Sequence, residues 1–269
     1  MNTRLDDAAE RLLGLRPVSV TRFAGGDISG ASLLRFADGT TAVGKTGPVV
    51  AAEARMLQAM AQTAAPVPQV LAYDEEALFI AHVPADGSLS GTAWLSLAEA
   101  LRGLHASCGT AYGWEEDYAL RHVVVENAWH EDWPQFWSER RLLCHTGHLA
   151  PALSRRIETL AASLPDRLPQ APPASLVHGD LWGGNILVSH GAISGLIDPC
   201  AYYGCREVDI ASLTVFDDPP AAFFDAMDMA PGWKDRLPIY RLWMWLLHVR
   251  LFGDSYRAAV ESELDALGC

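Results

Sequence analysis

Asp180 and Asn185 stand five residues apart in Leu176-Val-His-Gly-Asp-Leu-Trp-Gly-Gly-Asn-Ile-Leu-Val188, and Asp198 follows in Leu196-Ile-Asp-Pro199. One apolar run delivers a loop carrying a carboxylate and an amide, and a second delivers another carboxylate. Phosphoryl transfer uses these groups: one carboxylate takes a hydroxyl proton, while an amide and a second carboxylate hold Mg²⁺ against nucleotide phosphates. Mg²⁺ keeps several waters, so one or two protein oxygens plus the phosphates complete its shell, and Asn185 and Asp198 supply them. Singly, each aspartate reads as a turn-former or cap. The His-x-Asp-x-x-x-x-Asn spacing, followed by an aspartate ending a strand-like segment, makes them a set and predicts an ATP-dependent kinase that uses Mg²⁺.

Lys45 is one of two lysines in the chain, the other being Lys234. In a composition that otherwise uses arginine, a lysine ending a predicted strand offers a compact, flexible point charge suited to phosphates. Glu53, on the helix that follows, is placed to pair with it. Gly39-Thr-Thr-Ala-Val-Gly-Lys45-Thr46 also satisfies the pattern of a phosphate-binding P-loop. Its context is wrong: Asp38-Gly39 reads as a hairpin turn, Thr40 to Val43 as strand, and Thr46-Gly-Pro48 delays the helix that a P-loop opens into at once.

The elements that must position these groups fall into two parts. Asp6 to Leu15 reads as an amphipathic helix, Pro17 to Ala24 as a strand, and Gly25-Gly-Asp-Ile-Ser-Gly30 as a glycine-rich turn. Ala31 to Phe36 and Thr40 to Lys45 read as a hairpin, and Val49 to Gln62 as a helix stopped by Pro66 and Pro68. Two strands follow, near Val70 and from Leu78 to Val83. Pro84 to Gly91 breaks periodicity and is the expected linker between lobes 1–84 and 85–269. Beyond it the pattern is mostly helical, save a strand pair bracketing Asn185 to Asp198, with Pro165 to Pro173 as a loop. The expected class is α+β in two lobes, with a small antiparallel N-terminal sheet, one key helix and a mostly helical C-terminal lobe; the bilobal, protein-kinase-like fold is what the family resemblance given below implies.

The chain has 269 residues, half of them hydrophobic and a fifth charged, enough for a substantial core. Its net charge of −13 disfavours nucleic-acid and anionic-membrane partners, whose affinity comes from basic patches. Leu237 to Phe252 is interrupted by Arg241, His248 and Arg250 and is too short to span a bilayer, so it reads as a core helix. Five cysteines without a C-x-x-C pair imply reduced thiols, and with no signal-like start the expected location is cytoplasmic. Cys200 and Cys205 read as buried small apolar groups, with redox sensitivity the alternative. His145-x-x-His148 is a weak metal pattern.

The chain resembles the fructosamine (ketosamine-3) kinases, grouped with aminoglycoside phosphotransferases and choline kinases in the kinase-like superfamily. The resemblance rests on His178-Gly-Asp-Leu-Trp-Gly-Gly-Asn185, Leu196-Ile-Asp-Pro199 and Ala201-Tyr-Tyr-Gly-Cys-Arg-Glu-Val-Asp-Ile-Ala211, with Asn127-Ala-Trp129, Arg140-Arg-Leu142 and Leu251-Phe-Gly-Asp-Ser-Tyr256 in support. The His-Gly-Asp motif implies only ATP chemistry. Trp182 and the Tyr202-Tyr-Gly string imply a ketosamine, with Trp129, Tyr203 and Arg206 as further substrate candidates. For the aromatics, core packing is the competing role.

By this resemblance Asp180 orients the acceptor hydroxyl and takes its proton, while Asn185 and Asp198 hold Mg²⁺. Lys45, steadied by Glu53, binds the phosphate chain under the backbone of Gly25, Gly26, Ser29 and Gly30. Adenine lies in a crease near Phe79, Ile80, His82 and Val83. His178 and Asp209 brace the catalytic loop, and Arg206 and Glu207 form a local ion pair or touch substrate. The implied acceptor is the sugar 3-hydroxyl of a small or protein-bound fructosamine or ribulosamine, in deglycation. Two alternatives remain: a kinase of the same superfamily acting on another alcohol, such as an aminoglycoside or amino alcohol, and a nucleotide-binding protein without turnover. Compared with the family, Gly183 stands where serine is usual, Cys205 where aspartate is usual, and Ser29 near a usual asparagine.

Overall fold

Short strands separated by turn residues build the first part of the chain. The computed structural model describes residues 3–23 and 30–269. Strands β1 (Ser19–Arg22), β2 (Ser32–Arg35), β3 (Thr41–Thr46), β4 (Val70–Tyr73) and β5 (Ala77–Ala81) form one antiparallel sheet in the order β1-β2-β3-β5-β4. The β2–β3 turn forms because Gly39 takes φ +85° and Asp38 Oδ1 accepts from the Thr40 amide (2.9 Å) and hydroxyl (2.7 Å).

Helix α1 (Thr3–Leu13) covers one sheet face, where Leu5, Ala8 and Ala9 pack with Leu34, Ala42 and Phe79. Helix α2 (Val50–Met60) covers the other through Val50, Ala54 and Leu57 against Leu78 and Ile80. Gly44 is demanded by this packing: a Cβ there would lie 2.9 Å from Leu34 and 3.0 Å from Leu5 and Phe79. The P-loop-like string is therefore a hairpin turn and a strand, not a phosphate loop.

The remainder is dominated by α3 (Ala93–His105), α4 (Trp133–Trp137), α5 (Pro151–Arg167), α6 (Glu207–Phe216), α7 (Ala221–Ala226), α8 (Trp233–Phe252) and α9 (Arg257–Ala266). As expected, α8 is a core helix, burying Leu237, Tyr240, Trp243, Met244 and Leu247. Among the described residues no helix is long and apolar enough to cross a membrane. Arg141 sits inside this core beneath the rings of Tyr202 (4.3 Å), Phe136 (4.8 Å) and Trp243 (5.1 Å). Its two terminal nitrogens donate to Glu126 O and Asn127 Oδ1, which offsets part of the cost of so buried a charge, while its Nε has no hydrogen-bond partner.

Three short strand pairs interrupt the helices where one was expected. β9 (Ile186–Ser189) with β10 (Ala192–Leu196) is the expected pair; β6 (Tyr118–Leu120) with β7 (Val123–Val125), and β8 (Ser175–Val177) with β11 (Tyr202–Gly204), are additional. The segment from Pro165 is also not all loop. Helix α5 runs through Pro165 to Arg167, because a proline in the final turn forfeits one backbone bond at an end that frays anyway.

Candidate active site

Strand β8 delivers the catalytic loop, and Asp209 in the first turn of α6 holds it. Asp209 is fully buried; its Oδ2 accepts from the His178 amide (2.8 Å) and lies 2.9 Å from His105 Nε2, and its Oδ1 accepts from the Gly179 amide (2.9 Å). Desolvation alone would raise this carboxyl, yet His105 and the backbone donors outweigh it and hold it below its usual value. Gly179 takes φ +80°, and any Cβ there would run into the Cys200 carbonyl.

His178 is fully buried and its pKa is lowered by desolvation, so the ring is neutral. Nε2 donates to Ile197 O (2.9 Å) and Nδ1 accepts from the Asp180 amide (3.3 Å). The ring thereby ties the loop of Asp180 to the strand end that presents Asp198.

The three oxygen-bearing groups named from sequence meet in one place. Asn185 Nδ2 donates to the Asp180 carbonyl (2.8 Å) and carboxylate (3.1 Å). Asp198, at φ +54°, projects Oδ1 to within 2.5 Å of Lys45 Nζ, and Lys45 Nζ is also 2.5 Å from Glu53 Oε1. Desolvation opposes the charge on Lys45, but Glu53 and Asp198 together raise its pKa. Burial pushes the Glu53 carboxyl up, with Lys45 offsetting it in part. Burial is also the main cause that lifts Asp180 to about 7, opposed by the Asn185 amide and reinforced by Asp198 and Asp209.

These groups line a cleft of about 1120 Å³. Val43, Ile80, Ala81, His82, Val83, Leu187 and Ile197 form an apolar crease beside Lys45. Phe79 is a correction: it has no exposure, packs on the α1 face of the sheet and does not line the crease. Gly25, Gly26 and Ser29 lie outside the described residues. Gly30 takes φ +58°, and its neighbour Ala31 lines the cleft.

The substrate candidates separate. Trp182 lines the cleft and lies over Gly184, where a Cβ would strike its ring. Tyr203 instead stacks between Trp114 (5.9 Å) and Trp129 (6.1 Å), and neither Tyr203 nor Trp129 lines the cleft. Arg206 donates to Asp228 O, and Glu207 pairs with Arg236 (2.5 Å), so of the two roles left open for Arg206 and Glu207 the mutual ion pair does not form. Burial pushes both Cys200 and Cys205 up to about 12, so these thiols stay protonated and pack as small apolar groups.

The resemblance also included Leu104-His105 without a role for His105, and sequence reasoning missed Asp217. Asp217 Oδ2 accepts from the Gly183 amide (2.7 Å), and a Cβ on Gly183 would lie 2.5 Å from Asp217 Oδ1. The glycine at 183 is thus matched to this carboxylate. No local signal connects residues 34 positions apart in this way.

An antiparallel sheet carrying a buried Lys–Glu pair, set beside a helical part that presents the Asp180 loop, is the protein-kinase-like fold of small-molecule phosphotransferases. The structure of an aminoglycoside phosphotransferase in ternary complex with AMP-PNP and hygromycin B shares it, with TM-score 0.70 at 16% identity over 98% of this chain and 97% of that one. Within that class the chain belongs to the fructosamine kinase family, whose profile matches residues 16–267. A solved "putative fructosamine-3-kinase" from Thermobifida fusca superimposes with TM-score 0.89 at 27% identity, covering 98% of this chain and 99% of the other. A relative from Enterococcus faecium named "Probable ketoamine kinase" is 35% identical over 181 residues. That match covers 63% of this chain and 65% of the relative, just under two thirds of its length.

Proposed function

We propose that this protein is an ATP- and Mg²⁺-dependent kinase that phosphorylates the sugar 3-hydroxyl of ketosamines, fructosamine or ribulosamine adducts, in deglycation in the cytoplasm. The observation that carries the reading is the convergence of Asp180, Asn185, Asp198 and Lys45 in one cleft, in a chain of the fructosamine kinase family. Residues 1–84 act as the nucleotide lobe and 85–269 as the catalytic and acceptor lobe. The apolar crease at Ile80 to Val83 takes adenine, and Lys45, held by Glu53, meets the phosphates.

The donor set fits a hard cation. Asn185 spends its amide nitrogen on Asp180, leaving Oδ1 for the metal, and Asp198 contributes the carboxylate. Among the described residues no group of three or more acidic, histidine or cysteine side chains could hold a metal alone. Bound there, Mg²⁺ neutralises charge on the phosphates.

Asp180 acts on the acceptor. Its carboxylate, basic enough at about 7 to take a proton near neutrality, orients the hydroxyl and receives its hydrogen as the oxygen bonds to the γ-phosphorus. The bond from that phosphorus to the β–γ bridging oxygen breaks and ADP leaves. Most of the acceleration comes from positioning and from charge stabilisation by Lys45. The test is turnover of labelled ATP with an acceptor panel. The reading requires transfer to fructosamine or ribulosamine adducts; fast turnover of an aminoglycoside or amino alcohol with none of the adducts would overturn it.

A further inference from the structure

The β6–β7 hairpin brings to the catalytic groups one side chain that the mechanism leaves unused. Tyr118 begins β6, pairs with Val125, packs into the main core and lines the cleft, with only 7% of its surface exposed. Burial first, then Glu53, Cys200, Asp198 and Asp180, push its phenol well above the usual value of 10. The hydroxyl therefore keeps its proton at neutral pH and sits among the groups that hold Lys45 and the catalytic loop. It has no hydrogen-bond partner among the described residues, and it is not sealed from solvent. A buried donor without a partner is costly, so one turned toward an open site is placed for a ligand.

The carboxylates around it are already engaged: Glu53 and Asp198 with Lys45, and Asp180 with the Asn185 amide. The hairpin itself is fixed from two sides. Asp117 Oδ1 accepts from the Asn127 amide (2.7 Å) and the Glu116 carbonyl accepts from Asn127 Nδ2 (3.2 Å), while Asn127 Oδ1 accepts from Arg141 (2.7 Å). The Glu116 carboxylate takes two bonds from Arg55 on α2, at 2.5 and 2.6 Å. Tyr118 is thus tied to the core and to the helix that carries Glu53. A donor held this firmly needs little reorganisation to meet developing charge.

The position of the ligand atom follows from the groups on either side. An acceptor hydroxyl at Asp180 and a metal at Asn185 and Asp198 confine the transferring phosphoryl group to the space between them, which Tyr118 also faces. Phosphate oxygens accept strong, charge-assisted bonds from O–H donors. We infer that Tyr118 is a nucleotide-binding residue whose hydroxyl donates to the γ-phosphoryl group of Mg·ATP. The inference rests on the ATP-dependent kinase reading and adds a neutral donor to the charge of Lys45.

Tyr118→Phe removes the hydroxyl and keeps the ring. Calorimetry compares wild type and variant with Mg·AMP-PNP, which carries a γ-phosphoryl group, and with Mg·ADP, which does not, while denaturant melts record stability. The expected result is about tenfold weaker binding of Mg·AMP-PNP by the variant, with affinity for Mg·ADP changed less than about twofold. The melting midpoint should stay at or above that of wild type, because an unpartnered hydroxyl does not hold the fold together. Equal losses for the two nucleotides, no loss for either, or a lowered midpoint would overturn the inference and leave the kinase reading standing. Wild-type protein that binds neither nucleotide would overturn that reading and the inference with it.

Discussion

Asn185 donates its side-chain amide to both the backbone carbonyl and the carboxylate of Asp180, at 2.8 and 3.1 Å, so the residue proposed to hold the metal also positions the proposed base. Asn185→Ala removes both functions. It should raise the half-saturating Mg²⁺ concentration by at least about tenfold, in line with the loss of one oxygen ligand, and lower kcat as well. Titrating activity with Mg²⁺ at fixed ATP checks this; an unchanged Mg²⁺ dependence would remove Asn185 from the metal site.

Lys45 and Glu53 are 2% and 4% exposed, which makes their pair costly to break. Lys45→Ala leaves the carboxylates of Glu53 and Asp198 facing each other without a cation. The expected loss of stability is about 3–5 kcal/mol. Denaturant melts measure that loss, and Glu53→Gln should show a smaller one with a raised KM for ATP.

Gly183 and Asp217 form a matched couple. Gly183→Ser pushes a Cβ to within 2.5 Å of Asp217 Oδ1 and should cost about 1–3 kcal/mol, the range for forcing extra atoms into a packed site. Combining it with Asp217→Ala should recover most of that cost. A double-mutant cycle on unfolding free energy reads the coupling, and strictly additive effects would contradict it.

His145 is buried with neither ring nitrogen hydrogen-bonded, and desolvation lowers its pKa from 6.5 to about 3. Above pH 6.5 it is neutral folded or unfolded and contributes no pH dependence. As pH falls from 6.5 toward 3 the unfolded chain binds a proton that the folded one refuses, so this residue removes about 1.4 kcal/mol of stability per pH unit. His145→Phe should flatten that arm; parallel wild-type and variant curves between pH 6.5 and 4 would contradict the assignment.

What the sequence made legible was chemistry with fixed spacing and elements with strong local signals. The Asp180–Asn185 loop, the Asp38-Gly39 turn and helix α2 all declare themselves through turn residues or period. Strands of three residues, as in β6, β7, β8 and β11, are too short for alternation to register and exist because they pair with distant partners. Phe79 was misplaced because β5 is buried on both faces and reads as an unbroken apolar run. Only the docking of α1 decides which side is the crease. Asp217, the role of His105 and the Glu207–Arg236 pair were hidden for the same reason: each is defined by a contact across long sequence separation.

The most direct test of the account is Asp180→Asn, assayed for Mg·ATP binding by calorimetry and for phosphoryl transfer to a fructosamine with labelled ATP. The account predicts affinity for Mg·ATP close to that of wild type and transfer reduced by about 10²–10⁴, the contribution of a positioned base. Transfer at the wild-type rate would contradict the assignment of Asp180 on which the mechanism stands.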